Sequence, residues 1–186
     1  MKVGMKIILV EKDNDVVKFA FKDVTLSEAT LNEFEFMFNL KCEKNILYWG
    51  GFADKPNYKN LKEWYYRILL DKTKKILFIN YYGEKVGYIT YKIYNDSICD
   101  DFSIAVSDRF SGKGIATKAI GEMIEYLKYE HFNCKTFYSY IREDNIPSQK
   151  VHRKNNFILT DQYEDKFLQS DNKIVRLHKW VKNLEE

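Results

Sequence analysis

The chain has 186 residues, and 30 Lys and Arg against 27 Asp and Glu leave a formal net charge of +3. This excess is too small to indicate a nucleic-acid binder, and 31% charged with 45% hydrophobic residues excludes a disordered or fibrous chain. Only 2 Pro and 8 Gly leave no flexible linker, so a single domain over residues 1–186 is predicted.

Cysteines and apolar runs exclude two further classes of protein. Cys42, Cys99 and Cys134 match no zinc-binding spacing, so reduced thiols and no metal site are expected. The N-terminal apolar run is too short for a signal-peptide core, and no segment approaches the length of a membrane-spanning helix. The sequence therefore predicts a cytoplasmic protein without a membrane partner.

Two strands and two helices are predicted in the first part of the chain: Ile7–Val10, Val16–Val24, Ser27–Cys42 and Leu61–Leu70. A turn at Lys12–Asp15 joins the strands, and Ser27 is a good N-cap for the first helix. The stretch Asn45–Asn60 contains two adjacent glycines and a proline, which predicts a loop.

The second part of the chain is predicted to hold six strands: Ile76–Tyr82, Val86–Tyr94, Ile98–Ser107, Thr136–Ile141, Phe157–Tyr163 and Ile174–Val181. Its two helices are Ile115–Tyr129, with an apolar face at helical spacing, and Ile146–Lys154, with Pro147 in its first turn. The order of elements excludes a regularly alternating doubly wound sheet and favours an α+β (mixed) fold.

The most informative segment is Ile104–Thr117, where a strand runs through a glycine-bearing turn into an amphipathic helix. The first N–H groups of a helix lack internal partners and, with the helix dipole, attract anions. Gly112 and Gly114 let the backbone approach such an anion, and Arg109 and Lys113 add positive charge. A phosphate or diphosphate site is therefore predicted between residues 109 and 117.

The spacing excludes two common phosphate-binding motifs. No second glycine stands three residues after Gly114, so the dinucleotide-binding fingerprint is absent. The nucleoside-triphosphate P-loop pattern is absent as well.

The run Arg109–Ala116 resembles the [Q/R]-x-x-G-x-[G/A] loop of the GNAT superfamily of acetyl-CoA-dependent N-acetyltransferases. A second segment with Asn145, Ser148 and His152, ending at Asn156-Phe157, is similar to that superfamily's N-x-x-S-x-x-hydrophobic-Tyr-x-x-x-Gly-Phe signature. The resemblance covers residues 75–165 and implies a central mixed β-sheet of six to seven strands. That sheet would be splayed in the middle and flanked by about four helices.

The resemblance also implies where acetyl-CoA binds. Backbone groups of Ile104, Ala105 and Val106 would pair with the pantetheine amides as an added strand does. Asn145 and Ser148 would contact the pantetheine arm. The diphosphate would be held by the loop residues Arg109, Phe110, Ser111, Gly112, Lys113, Gly114, Ile115, Ala116 and Thr117.

Three residues depart from the family pattern. Ser111 stands where the family often has Arg, and Lys113 can supply the lost charge. Asn156 replaces a glycine, and Asn tolerates the left-handed conformation better than most residues. His152 stands where the family has a Tyr that protonates the leaving sulfur.

The implied reaction is direct attack of an amine on the thioester. His152 is predicted to be the acid, because an imidazolium can donate to a thiolate of higher pKa; the alternative is a surface histidine. Asp101 is predicted to be the base, because some family members place a carboxylate on this strand; the alternative is a solvated aspartate at a strand edge.

The acceptor is expected to be a small-molecule or protein amine. Trp49 and Tyr48, in the glycine-hinged stretch, are predicted to bind it, with Trp49 as part of a lid. Family members commonly form homodimers, although the sequence shows no interface.

Two other functions stay open: a GNAT-like acyl-CoA sensor or scaffold without turnover, and an unrelated phosphate-binding domain. Release of coenzyme A with amines separates the first from an enzyme, and a melting-temperature shift with acetyl-CoA tests the second.

Overall fold

The computed structural model describes residues 7–13, 16–169 and 172–185, with side-chain positions from residue 22 onward. Within these residues nine strands form: β1 Ile7–Asp13, β2 Val16–Phe21, β3 Val24–Glu28, β4 Lys74–Tyr81, β5 Glu84–Tyr94, β6 Ile98–Val106, β7 Thr136–Arg142, β8 Ile158–Leu168 and β9 Lys173–Asn183. The helices of the same residues are α1 Phe34–Lys41, α2 Lys44–Gly50, α3 Tyr58–Leu70, α4 Ile115–Glu130 and α5 Ile146–Lys154. None of them is long and apolar enough to cross a membrane.

The main sheet is mixed and seven-stranded, in the order β3-β4-β5-β6-β7-β9-β8. All of its neighbouring strands run antiparallel except β6 and β7, which run parallel. The strands β1 and β2 pair with each other as a separate hairpin. The predicted fold class is confirmed, with five α-helices in the described residues where about four were expected.

The sheet opens between β6 and β7. In the described chain these strands pair only at Ile98–Thr136 and Cys99–Phe137. Beyond that point β6 follows β5 as far as Val106, and β7 follows β9. Two arms, β3 to β6 and β7 to β8, therefore enclose the V-shaped gap that the resemblance implies. We call this gap the splay.

Each face of the sheet has its own apolar core. The core beneath α4 includes Leu77, Ile89, Ile120, Met123 and Leu127. The core beneath α1 and α3, on the opposite face, includes Phe34, Met37, Tyr65, Ile76 and Phe78. Full burial of one such side chain contributes about 2 kcal/mol, so these two cores hold the β3–β6 arm rigid from both sides.

The first predicted helix begins later than its N-cap signal indicates. Ser27 lies in β3, opposite Phe78, and caps no helix. The helical segment starts after Thr30, whose amide and hydroxyl both donate to Glu33 Oε2 (2.7 and 2.8 Å) in a capping box. The strand prevails at Ser27 because β3 pairs with β4 along its whole length.

The predicted strand Val16–Val24 is two strands, since β2 ends at Phe21 and β3 begins at Val24 in the other sheet. The turn predicted at Lys12–Asp15 includes two residues, 14 and 15, that lie outside the described residues.

Asn156 ends α5 in the left-handed conformation expected of it, with φ = 59°. Because glycine adopts this conformation without steric cost, Asn156→Gly is expected to keep the native structure and to change the free energy of unfolding by less than about 1 kcal/mol. Asn156→Val is expected to lower the free energy of unfolding by about 2 kcal/mol, since a β-branched residue is strained in the left-handed conformation. Urea denaturation of both variants measures the difference; equal stabilities would contradict the assigned backbone conformation.

Candidate active site

The loop between β6 and α4 has the backbone that an anion site needs. After a short 3₁₀ turn over Asp108–Phe110, Gly112 and Gly114 both adopt φ = 75°, a conformation that residues with a Cβ disfavour. A Cβ added to either glycine would meet no heavy atom within 4 Å, so open space borders the loop. Gly114 is also the N-cap of α4. The loop therefore exposes main chain at the start of this helix.

Six consecutive amides of the loop find no acceptor among the described residues: those of Gly112, Lys113, Gly114, Ile115, Ala116 and Thr117. The first helical hydrogen bond of α4 runs from Lys118 N to Gly114 O, at 3.2 Å. Free N–H groups at the positive end of a helix dipole attract anions. This arrangement can hold a phosphate or a diphosphate.

The cations of the loop lie at the surface. Arg109 is 78% exposed, and its Nη2 lies 3.7 Å from Glu84 Oε1. Lys113 Nζ lies over the ring of Phe110, 4.9 Å from its centroid. Exposed ion pairs contribute no more than about 1 kcal/mol, so both cations are free to turn toward a bound anion. Ser111 donates its amide to Asp108 O (3.1 Å) and is itself exposed.

The strand β6 presents an open edge to the splay. Ile104, Ala105 and Val106 pair with β5 on one side, while the described ladder with β7 on the other side stops at Cys99. An extended ligand can add to such an edge as a further strand does. The edge from Asp100 to Val106 is about 20 Å long, which leaves room for an elongated arm reaching from the loop toward the apex of the splay.

Asn145 and Ser148 build the first turn of α5. Asn145 Oδ1 accepts a hydrogen bond from Ser148 N (3.1 Å), so Asn145 is a true N-cap. Ser148 O in turn accepts from His152 Nδ1 (2.8 Å). Both residues fix the helix that borders the splay. Their predicted contact with a cofactor arm stays a prediction.

His152 is buried, with 1% of its surface exposed, so the alternative of a surface histidine is wrong. Its ring packs edge-on against Phe157 (5.0 Å between centroids) and Phe102 (6.0 Å), the latter contributed by β6. Burial lowers the pKa of His152 to about 4, against an opposing effect of the bond to Ser148 O.

The tautomer of His152 follows from the nearer of its two partners at Nδ1, the carbonyl oxygen of Ser148 at 2.8 Å; the hydroxyl of the same residue lies farther away, at 3.5 Å. Because the acceptor of Nδ1 is a carbonyl, Nδ1 carries the proton of the neutral ring. Nε2 is therefore the bare nitrogen, and it has no partner among the described residues. The predicted role of His152 as an acid needs a proton on Nε2, which the neutral ring in this conformation does not supply.

Two carboxylates lie at the apex of the splay. A β-bulge places Asp101 at φ = 52°, and its side chain, 60% exposed, lies with Oδ2 3.8 Å from Lys74 Nζ. Asp100 is half-buried and follows the last residue of β6 that pairs with β7. Burial raises the pKa of the Asp100 carboxyl, while the amide of Asp101, which donates to its Oδ1 at 2.8 Å, partly offsets the effect.

Tyr48 and Trp49 lie on α2, so the prediction that residues 45–60 form one loop is wrong. The two glycines that suggested a loop end this helix: Gly51 is its C-cap at φ = 77°, a standard position for glycine. Trp49 and Tyr48 are 37% and 41% exposed, and both rings stack on the guanidinium of Arg142 (5.1 and 5.0 Å). Sequence reasoning missed Arg142, because only the fold brings it to α2.

Comparisons with known proteins agree with this architecture. The model of the Acetyltransferase (GNAT) family matches residues 34–157, two thirds of the chain. No curated protein matches the sequence.

Several solved structures share the fold at low sequence identity. A spermidine N-acetyltransferase from Vibrio cholerae, in complex with CoA and spermine, superposes with a TM-score of 0.77 and 15% identity over 88% of this chain and 96% of that one. The acetyltransferase of Salmonella typhimurium that modifies the N-terminal serine of ribosomal protein L7/L12 gives 0.73 and 15% over 87% and 95%. The aminoglycoside acetyltransferase AAC(6')-Ib with ribostamycin and coenzyme A gives 0.72 and 15% over 87% and 94%.

Proposed function

The chain belongs to the GNAT acetyltransferase family, and from this premise we propose that it transfers the acetyl group of acetyl-CoA to a primary amine by direct attack. The observation that carries the proposal is the run of free amides from Gly112 to Thr117 beside the open edge of β6. A diphosphate on these amides would leave the attached arm to extend along the splay.

The residues of this chain fit acetyl-CoA as co-substrate. The loop supplies main-chain donors, two glycines without Cβ atoms and two exposed cations. The free edge of β6 at Ile104, Ala105 and Val106 supplies hydrogen-bonding groups for amides. In the reaction the lone pair of a neutral amine forms the new C–N bond, the C–S bond breaks, the amine loses a proton and the thiolate gains one.

Binding of coenzyme A tests the first half of the proposal. Saturating CoA is expected to raise the melting temperature by several degrees, because a ligand at 100 times its Kd stabilises the native state by about 2.7 kcal/mol. Acetyl-CoA with spermine, ribostamycin or a peptide beginning with serine is expected to release free thiol for at least one acceptor. These probes follow the relatives' own ligands. A melting temperature that millimolar CoA leaves unchanged would contradict the proposal.

The base is a carboxylate at the apex of the splay, where the sequence predicts Asp101. Asp100, one residue earlier, is the more buried of the two and has a raised pKa, which suits a general base. We expect Asp100→Asn to lower kcat/KM by about 100-fold, and the matched Asp101→Asn, which removes an exposed carboxylate, by less than about threefold. Steady-state kinetics at pH 7.5 measure both, and the reverse order would establish Asp101 as the base.

A second function is favoured by the neutral state of His152. If His152 is not the acid and no other group protonates the leaving thiolate, the protein would bind acyl-CoA as a sensor or scaffold without turnover. The expected result for that function is a thermal shift with acetyl-CoA and no thiol release with any of the three amines.

A further inference from the structure

The helix α2 packs through Ile46 on the face of the sheet opposite α4, and its N-terminal end is tied to the β6 arm. Glu43, the N-cap residue, accepts hydrogen bonds from Ser107 Oγ (2.8 Å) and from Asp108 N (2.9 Å). Asn45 Nδ2 donates to Asp108 Oδ1 (2.8 Å). The start of α2 is thereby tied to the end of β6, directly before the phosphate loop.

The other end of α2 is fastened to the β7 arm by Arg142. This residue is the last of β7, and its side chain is 3% exposed. The Asp144 carboxylate accepts two parallel hydrogen bonds from the Arg142 guanidinium, from Nε at 2.9 Å and from Nη2 at 2.7 Å. The guanidinium stacks on Tyr48 and Trp49, and Nη1 donates to Tyr48 O (3.4 Å) in the last turn of α2. A cation there also complements the negative end of the helix dipole.

Core burial holds α2 only in part, through Ile46, which packs half-buried against the core beneath α1 and α3. None of its residues is fully buried, and α2 has only seven residues. At the level of Arg142 the ladder between β6 and β7 has already ended within the described chain. A Cβ added to Gly51 would lie only 2.5 Å from Leu168 Cδ2, so Leu168 of β8 packs directly against this glycine. The C-terminal end of α2 therefore contacts the same arm that carries Arg142. The helix α2 thus connects the β3–β6 arm with the β7–β8 arm across the gap where the sheet does not join them.

Resting on the proposed acetyl transfer, we propose that Arg142 is a positioning residue for the acceptor. By clamping Tyr48 and Trp49 it holds α2 across the splay and sets the width of the opening through which the amine reaches the thioester. The phosphate loop and the open edge of β6 lie outside this clamp, so acetyl-CoA binding does not depend on it.

The test compares Arg142→Met with wild-type protein. Amide hydrogen exchange in α2 is expected to rise about tenfold or more, while exchange in α4, β4 and β5 stays within about twofold. The Kd of CoA is expected to change less than twofold. For the amine in the panel with the highest turnover, KM is expected to rise about tenfold, the effect of losing a desolvated cation–π contact, with kcat within about threefold. Arg142→Lys keeps the charge but loses the planar guanidinium. Its hydrogen exchange in α2 and its acceptor KM are expected to lie between those of wild-type protein and Arg142→Met.

Arg176 offers a matched control. It also pairs with a carboxylate, Asp165 (3.0 Å), and stacks on an aromatic ring, Tyr163 (3.8 Å). It lies on β9 next to Leu177, the residue that pairs with Arg142, but among the described residues its side chain contacts β8 and not α2. Arg176→Met is expected to leave exchange of α2 and the acceptor KM unchanged. Two results would overturn the proposal: unchanged hydrogen exchange of α2 in Arg142→Met, or a rise in the Kd of CoA as large as the rise in the acceptor KM. Failure of wild-type protein to bind CoA would overturn the proposed function instead, since exchange of α2 is measured without ligand.

Discussion

Replacing Gly114 with Val is expected to weaken CoA binding by about 100-fold, or about 2.7 kcal/mol. The cause is backbone conformation. Gly114 adopts φ = 75°, and a Cβ there would touch nothing within 4 Å, so the substitution meets strain without a clash. A β-branched residue escapes that strain by moving toward extended φ, which turns the amides of Lys113 to Ile115 away from a common anion. Titration calorimetry with CoA measures the loss.

The matched control lies on the same helix. Gly121 lies within α4, where an added Cβ would make an ordinary contact with Asn155 Oδ1 at 3.6 Å. Gly121→Ala is expected to leave CoA affinity within about twofold and to raise stability by up to about 1 kcal/mol, because alanine favours helix more than glycine does. Thermal melting of both variants separates stability from binding. A Gly114→Val protein that binds CoA like wild type would show that the diphosphate is held elsewhere.

The middle of the chain was predictable because local signals and tertiary packing agree there. The helix Ile146–Lys154 has its predicted bounds, since Asn145 caps it, Pro147 stands in its first turn and Asn156 ends it at positive φ. The glycine loop before α4 was visible because φ > 0 at an N-cap nearly requires glycine.

Predictions failed where one signal has two meanings. Adjacent glycines end a helix as well as they build a loop, so Gly50 and Gly51 concealed α2. Ser27 can cap a helix, but pairing of β3 with β4 decides its conformation. The burial of Asp100, which depends on where β6 parts from β7, is a property of the assembled sheet and leaves no mark on neighbouring residues.

Between pH 7 and pH 5, wild-type protein is expected to lose about 2 kcal/mol more unfolding free energy than the His152→Phe variant. The pKa of His152 is lowered from 6.5 to about 4 in the folded protein, because its ring is buried among aromatic side chains. As pH falls below 6.5, the unfolded chain takes up a proton at this residue while the folded chain does not. The stability that the neutral, buried ring of His152 contributes is therefore complete above pH 6.5, declines between pH 6.5 and pH 4, and is absent below pH 4.

Urea denaturation of both proteins at pH 7, 6 and 5 isolates this effect, since carboxylates that titrate in the same window contribute equally to both. Phenylalanine fits the surrounding cage of Phe102 and Phe157 and removes the unpartnered Nε2. A difference in unfolding free energy that does not change with pH would contradict the lowered pKa.

The same low pKa determines what His152 can do in acetyl transfer. At pH 7 its ring is neutral with the proton on Nδ1, so the thiolate must take its proton from another donor, and His152→Phe is expected to keep kcat within about tenfold. Nitrogen chemical shifts of the imidazole, measured with and without CoA, report the tautomer directly. If wild-type kcat falls as pH rises through 6 to 7 and the Phe variant loses that dependence, bound cofactor has restored the imidazolium and His152 is the acid after all. A flat profile in both proteins leaves His152 a packing residue and places the proton donor elsewhere in the splay.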